Sequence, residues 1–249
     1  PVIGLLCGNG DKVSSTCSRR VQRVEDLFAA GGYLIGEGGV RHGVMKHARG
    51  AFRKFRDAAE RAAHRTGALP GGFFLTDPAR IADPVAIVEA LPPKIGVIVR
   101  HFGQTPEIER AGHIVALCQS QRRPVLIAAD PDLARETGAD GVHWPFRLRE
   151  QLRHYESQFE LMTLSVHSPT ELREAQRYPA DALILSTVFS SGSPSAGTPI
   201  GLMRLAAATR ASAVPLYGLG GIQSGNVERV AAHAGFASVS GFLDLAKDA

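Results

Sequence analysis

From residue 72 onward the sequence repeats one two-part unit, and that repetition limits the fold more than any other feature. Apolar runs of strand length stand at 72–75, 95–99, 125–128, 141–144, 161–165, 182–186, 214–217 and 237–239. Helix-like stretches lie between and after them, at 84–90, 106–120, 131–137, 147–155, 169–177, 199–211, 225–234 and 241–246. The apolar runs are nearly continuous and do not alternate with polar residues. Such runs suit strands buried on both faces, hence a parallel sheet. Several helical stretches open on proline, whose missing N–H costs nothing at the first helical position. Asp130 and Ser168 stand where N-caps belong. Eight strand–helix units predict an α/β fold of the TIM (β/α)8 barrel class. An open doubly wound sheet is the alternative.

Residues 1–70 stand outside this repeat. They read as a glycine-rich opening, a helix near 18–30, the loop "GGYLIGEGG" and a basic helix over 45–67. The chain therefore divides into an N-terminal, partly helical extension over 1–70 and a barrel over 71–249. Met45 is the only methionine before Met162. That spacing makes Met45 the expected natural start, with residues 1–44 as upstream sequence.

The basic helix holds seven Lys/Arg against Asp57 and Glu60, a net +5 where the whole chain carries +4. Ala48, Phe52, Phe55 and Ala59 recur on one face at helical spacing. This predicts an amphipathic helix lying on the main domain with its basic face in water. Two phenylalanines on the apolar side interleave poorly with the charges for base stacking. The expectation is no nucleic acid and no membrane partner. No apolar run reaches the length of a membrane span, and no basic region precedes the apolar patch near the start. Cys7, Cys17 and Cys118 form no CxxC pair, which argues against a disulfide framework or zinc knuckle. A reducing cytoplasm is the expected location.

The stretch "LYGLGGIQSGNVERV" (216–230) turns from strand to helix through Gly220 and Gly221. Glycine lets a main chain approach a ligand closely and adopt conformations closed to other residues. A helix start adds partial positive charge. Ser240 and Gly241 follow the next strand in the same way. Two such junctions at consecutive strand ends of a barrel predict a phosphate held by main-chain N–H groups of Gly220, Gly221, Ser240 and Gly241.

Four segments occur in order: "GADGVHW" (138–144), "LSVHSPTEL" (164–172), "VFSSGSPSAG" (188–197) and "LGGIQSGNV" (219–227). With them, the chain from Phe73 to its C-terminus resembles the thiamine phosphate synthase/TenI family. The resemblance implies a TIM barrel enzyme of thiamine biosynthesis with a phosphate site at the GGI turn and the last strand. Family synthases join a pyrimidine pyrophosphate to a thiazole phosphate with Mg²⁺. TenI-type members isomerise a thiazole phosphate carboxylate.

The synthase pattern is depleted here. Ala129 and Leu148 stand where the resemblance places the metal-binding aspartates, and Asp130 is the one carboxylate left at that strand end. The loop after strand six, which carries a lysine in synthases, reads Ser190-Ser191-Gly192-Ser193-Pro194. No lysine lies between Lys94 and Lys247. After strand two only Arg100 remains of a Gln-x-Arg-x-Lys pattern, flanked by Ile98 and Phe102. A diphosphate–Mg²⁺ centre needs hard oxygen ligands and cations.

The expectation is therefore no metal, with Mg²⁺ entering only under the synthase alternative, and a proton-transfer isomerisation of the TenI kind. His167 is the expected acid/base, since an imidazole exchanges protons near neutral pH. Arg100 is the expected anion clamp. Ser165, on the same side of its strand end as His167, and Arg147, by resemblance to TenI-like members, are expected to contact the substrate. His143 reads as a core histidine, and Trp144 and Phe146 as packing. The expected partner is a small phosphorylated heterocycle, and homo-oligomerisation stays open. A synthase with unusual ligands and a non-catalytic phosphate-ligand binder remain as alternatives.

Overall fold

The computed structural model describes residues 44–193 and 197–246. The helix expected near 18–30, the glycine-rich opening, Cys7 and Cys17 lie outside them, as does the proposed upstream segment. A long helix α1 (Val44–Thr66) comes first. The repeat then runs β1 (Gly72–Leu75), α2 (Pro84–Ala90), β2 (Ile95–Val99), α3 (Thr105–Ser120), β3 (Val125–Ala128), α4 (Pro131–Thr137) and β4 (Gly141–Trp144). It continues through a 3₁₀ turn (Phe146–Leu148), α5 (Gln151–Tyr155), β5 (Leu161–Val166), α6 (Pro169–Ala175) and β6 (Ala182–Ser186). α7 (Gly201–Ala211), β7 (Leu216–Leu219), α8 (Val227–Ala231), β8 (Gly235–Ser238) and a closing 3₁₀ helix (Ser240–Leu245) complete it.

All eight strands pair in parallel and in sequence order. β8 also pairs with β1, with Phe73 opposite Ala237, so the sheet closes on itself. This is the TIM barrel, and closure removes the open-sheet alternative. The caps expected from sequence form: Asp130 Oδ1 accepts from Leu133 N at 2.9 Å and Ser168 Oγ from Glu171 N at 3.1 Å.

Several elements differ from their expected bounds: β8 runs Gly235–Ser238 and not 237–239, and α8 spans Val227–Ala231 and not 225–234. β7 begins at Leu216, not Val214, and runs through Gly218. A side chain at Gly218 would press on Val188 Cγ2 at 2.9 Å and on Leu205 of α7, so this glycine permits strand–helix packing and makes no turn. The stretch 147–155 divides into a 3₁₀ turn and a short α-helix, and the last helix is 3₁₀ throughout.

Side chains sort cleanly into barrel interior and outer layer. Trp144 stacks on Tyr155 in the outer layer, with ring centroids 5.6 Å apart. Alternation along the strand therefore sends His143 inward. Phe74 and Phe236 face outward, against Phe242 and Phe55 respectively. Phe73 turns inward to meet Tyr217 at 5.0 Å. The Tyr217 hydroxyl donates to Pro70 O at 2.5 Å below that layer.

α1 lies across β8, between α8 and the closing 3₁₀ helix. Its buried stripe is Ala51, Phe55, Ala58, Ala59 and Ala62. Small residues on that stripe bring the helix close to the strand, and Phe55 fills the space between Phe236 and Phe242. Arg49, Arg53, Arg61 and Arg65 stay exposed. Phe52 is half-buried, so the apolar stripe is turned slightly from the expected one. Among the described residues no helix is long and apolar enough to cross a membrane. Cys118 is buried, and burial pushes its thiol up to about 12, which leaves it a small apolar filler.

At the opposite end of the barrel from the strand C-termini, Arg123 fastens two units together. Its guanidinium donates to Leu91 O and Pro92 O, each at 3.0 Å, and to Ile95 O at 2.5 Å. Nε reaches Gln121 Oε1 at 3.0 Å. The carbonyls follow α2 and open β2, where a helix end leaves acceptors unpaired. Arg123→Ala strands them in a buried site. The expected loss is about 3 kcal/mol, or roughly 6–12 °C in Tm, read from urea unfolding and calorimetry.

Candidate functional site

A cavity of about 210 Å³ opens at the C-terminal ends of the strands. It draws on the ends of β6, β7 and β8 and on the loops after β1 and β2. Ser186, Thr187 and the loop from Ser190 to Ser193 form one side. Gly220, Gly221, Ser240 and Gly241 line it as well, with Arg80 and Arg100.

The two glycine junctions meet, as the sequence predicts. Ser238 joins them: its hydroxyl donates to Ile222 O at 2.7 Å and accepts from Gly241 N at 3.1 Å. Asn226 holds the first turn from the other side. Its Oδ1 accepts from Gln223 N and its Nδ2 donates to Gly221 O, both at 2.9 Å. Gly220 and Gly221 have φ of 104° and 64°, a region that L side chains rarely adopt. A Cβ on Gly220 would lie 2.5 Å from Thr187 Cγ2, and one on Gly221 2.4 Å from Ser190 O. A Cβ on Gly241 would lie 2.4 Å from Ile222 O. Close approach of three strand ends therefore requires all three glycines.

Among the described residues no acceptor takes the N–H of Gly221 or Ser240. The Gly241 N–H is spent on Ser238, so Gly241 shapes the cradle by its bareness and offers no donor of its own. Ser238 and Asn226 escaped the sequence reading. Ser238 sits inside an apolar strand, and Asn226 resembles an ordinary helix cap.

Arg100 follows β2 and lies mostly buried. It donates through Nε to Thr76 O at 2.6 Å and through Nη2 to Asp77 Oδ2 at 3.0 Å. Its main-chain N–H donates to Thr76 Oγ1. Burial holds its guanidinium down at about 10, against the pull of Asp77 and with a further push from Arg80. Phe102 extends from the same loop, its ring 5.4 Å from the Arg100 guanidinium.

His167 is exposed at the end of β5 and lies beside the cavity, not in its wall. Its Nδ1 meets Ser186 Oγ at 2.8 Å, and Ser186 does line the cavity. Its main-chain N–H donates to Glu171 Oε2. Ser165 points into the barrel and meets His143 Nε2 at 2.9 Å, while His143 Nδ1 meets Thr163 Oγ1 at 2.8 Å. Arg147 is exposed on the 3₁₀ turn after β4 and does not reach the cavity. Trp144 and Phe146 do not line it either: Phe146 lies beneath the Arg149 guanidinium at 4.7 Å.

Magnesium, which the family's synthases use, would need converging oxygens. Ala129 and Leu148 offer none. Asp130 spends Oδ1 on its helix cap and Oδ2 on His101 Nε2 at 3.3 Å. Among the described residues no three His, Cys, Asp or Glu side chains gather around one point. The donor set does not fit the ion.

His143 provides a pH test of the interior. Burial first, then Arg100 and His167, lower its pKa from 6.5 to about 3. The native state therefore refuses a proton that the unfolded chain accepts. His143 contributes its full stability above pH 6.5 and loses it as pH falls toward about 3. Between pH 6 and pH 4.5 the fold is expected to lose up to about 1.4 kcal/mol per pH unit through this residue. His143→Asn removes that part of the slope in urea titrations; equal slopes would refute it.

Comparison with known proteins agrees with this architecture. A family model described as thiamine monophosphate synthase matches residues 72–242. A thiamine-phosphate synthase of Latilactobacillus sakei is 33% identical over 126 residues, covering 47% of this chain and 54% of that protein. One from Synechococcus sp. (strain WH7803) is 27% identical over 136 residues, covering 53% of this chain and 38% of that protein. The match thus spans little more than half the length of these relatives at most. A thiamine phosphate pyrophosphorylase structure from Pyrococcus furiosus superposes with a TM-score of 0.57 at 21% identity, over 71% of this chain and 93% of that one. That likeness concerns the fold, and the family match spans most of the barrel: the chain belongs to the thiamine monophosphate synthase family.

Proposed function

We propose that this chain is an enzyme of thiamine biosynthesis that binds a thiazole phosphate, or a close phosphorylated heterocycle, and moves a proton on its ring. The observation that carries the reading is the junction of the β7 and β8 turns. Two N–H groups without an internal acceptor, Gly221 and Ser240, line the cavity together with two arginines, Arg80 and Arg100. Main-chain donors at strand ends and helix starts suit a phosphate. Ser186 anchors Nδ1 of His167 and leaves Nε2 without a partner among the described residues. That nitrogen is the proposed site of proton exchange. Arg100, fixed by Thr76 and Asp77, stabilises negative charge that develops on the ligand. The missing oxygen ligands at Ala129 and Leu148 speak against the metal-dependent condensation.

The names of the curated relatives favour a second reading, condensation of a pyrimidine pyrophosphate with a thiazole phosphate. One pair of assays separates the two. Exchange of the ligand's ring proton with deuterated water is followed by NMR, and condensation is assayed with both substrates and Mg²⁺. Exchange without condensation is expected. His167→Ala is expected to slow exchange by about 10²–10⁴-fold and to leave the ligand Kd within about twofold. Condensation at an enzymatic rate would overturn the proton-transfer reading. Tight binding with no exchange would mark a non-catalytic binder.

The phosphate cradle is tested separately. Gly221→Ala is expected to weaken thiazole phosphate binding at least tenfold, because both φ and the Ser190 carbonyl oppose the new methyl group. Calorimetric titration gives the affinity. Unchanged binding would place the phosphate elsewhere.

A further inference from the structure

The loop after β1, Thr76 to Ile81, fixes Arg100 and also presents a charged side chain of its own to the cavity. Arg80 and Arg100 are the only charged residues among those that line it. Both guanidiniums converge on a single oxygen, Asp77 Oδ2. Arg80 reaches it through Nη2 at 2.6 Å and Nε at 2.9 Å, and Arg100 through Nη2 at 3.0 Å. Asp77 Oδ1 is itself tied to Ala79 N at 3.0 Å, and Asp77 O accepts from the main-chain N–H of Arg80 and Ile81. The carboxylate is therefore fixed from three sides. Two cations share one anion, so the wall keeps one net positive charge. Nη1 of Arg80 has no acceptor among the described residues. β1 pairs directly with β8, whose end supplies Ser240, so the Arg80 loop and the cradle are neighbours on the rim.

We infer that Arg80 is a ligand-contacting residue and that Asp77 is its positioning residue, so that a phosphate on the β7 and β8 turns meets a guanidinium from the β1 loop. The inference rests on the phosphate reading of those turns. Main-chain amides are neutral dipoles and discriminate weakly between a phosphate monoanion and a dianion. A held guanidinium with an open N–H edge favours the dianion, because a charge-assisted bond strengthens with the acceptor's charge. Asp77 freezes the long side chain before the ligand arrives, which lowers the ordering cost of binding.

The test uses the full chain and ethyl phosphate, an alkyl phosphate whose second ionisation lies near pH 6. Calorimetry at about pH 5 and about pH 7.5, on either side of that ionisation, compares wild type, Arg80→Met, Arg80→Lys and Asp77→Ala. Wild type is expected to bind the dianion more tightly. Arg80→Met weakens binding at the higher pH by about 10–100-fold and flattens the pH preference. Arg80→Lys restores part of both. In the Asp77→Ala background, Arg80→Met is expected to cost several-fold less, because Arg80 is no longer held. Melting curves confirm that each variant folds. A purely structural role would lower the melting temperature and leave the pH preference intact. Wild-type affinity and pH preference in Arg80→Met would overturn the inference and leave the cradle standing. An equal cost of Arg80→Met with and without Asp77 would overturn the positioning role. Failure of wild type to bind ethyl phosphate would bring down the phosphate reading and this inference together.

Discussion

Everything at the rim depends on the pairing of β8 with β1. In an open sheet those strands would be opposite edges. The turns after β7 and β8 would then lie far from the loops after β1 and β2. Closure brings main-chain donors from one end of the repeat against arginines from its beginning, around one cavity. It also exposes a need for cover outside β8, because the repeat ends in a short 3₁₀ helix. α1 meets that need with Phe55 between Phe236 and Phe242. The apolar seam at the outer layer and the polar cavity at the rim are thus consequences of the same strand pair.

The cavity is made by steric proximity as much as by polar groups. Gly220, Gly221 and Gly241 each sit where a methyl group would strike another strand's loop. Their absence of side chains lets three chain segments come within contact distance. Ser238 and Asn226 then satisfy the carbonyls and N–H groups that this crowding brings together. The amides of Gly221 and Ser240 are among those on the cavity wall that have no acceptor among the described residues. A buried or half-buried main-chain donor without a partner is uncommon in a folded chain. That rarity gives the half-buried Gly221 its weight as a ligand donor; Ser240 is exposed at the start of a 3₁₀ helix, where an open N–H is ordinary.

Legibility in the sequence followed the length scale of the physics. Continuous apolar runs and caps are local, so the barrel, the caps at Asp130 and Ser168 and most strand bounds could be read directly. β7 was misplaced because Val214 and Pro215 look as strand-like as the Leu216–Leu219 segment that pairs. Gly218 reads as a turn residue, but its role is set by Leu205 and Val188, which are distant in sequence. Asp77 and Arg80 were missed for the same reason. Alone, "TDPAR" is an ordinary turn, and its meaning appears only when Arg100 arrives from 20 residues further on. Arg147, expected by resemblance to contact the substrate, is exposed and is not among the residues that line the cavity.

The distribution of charge bears on where chemistry can occur. The cavity wall carries arginines, serines and main-chain groups, and no carboxylate or imidazole lines it. Arginine does not give up its proton in this range, even at the lowered value of Arg100. Under the proposed reading a proton enters or leaves from the edge, and the edge at β5 and β6 holds His167 through Ser186. His143 cannot serve, since both its ring nitrogens are occupied by Thr163 and Ser165 and burial keeps it neutral. Under the proposed reading the ligand must lie with its phosphate against the β7 and β8 turns and its reacting carbon toward Ser186. Arg80 then meets the phosphate, and Arg100 can favour negative charge on the ligand without taking part in the proton's movement.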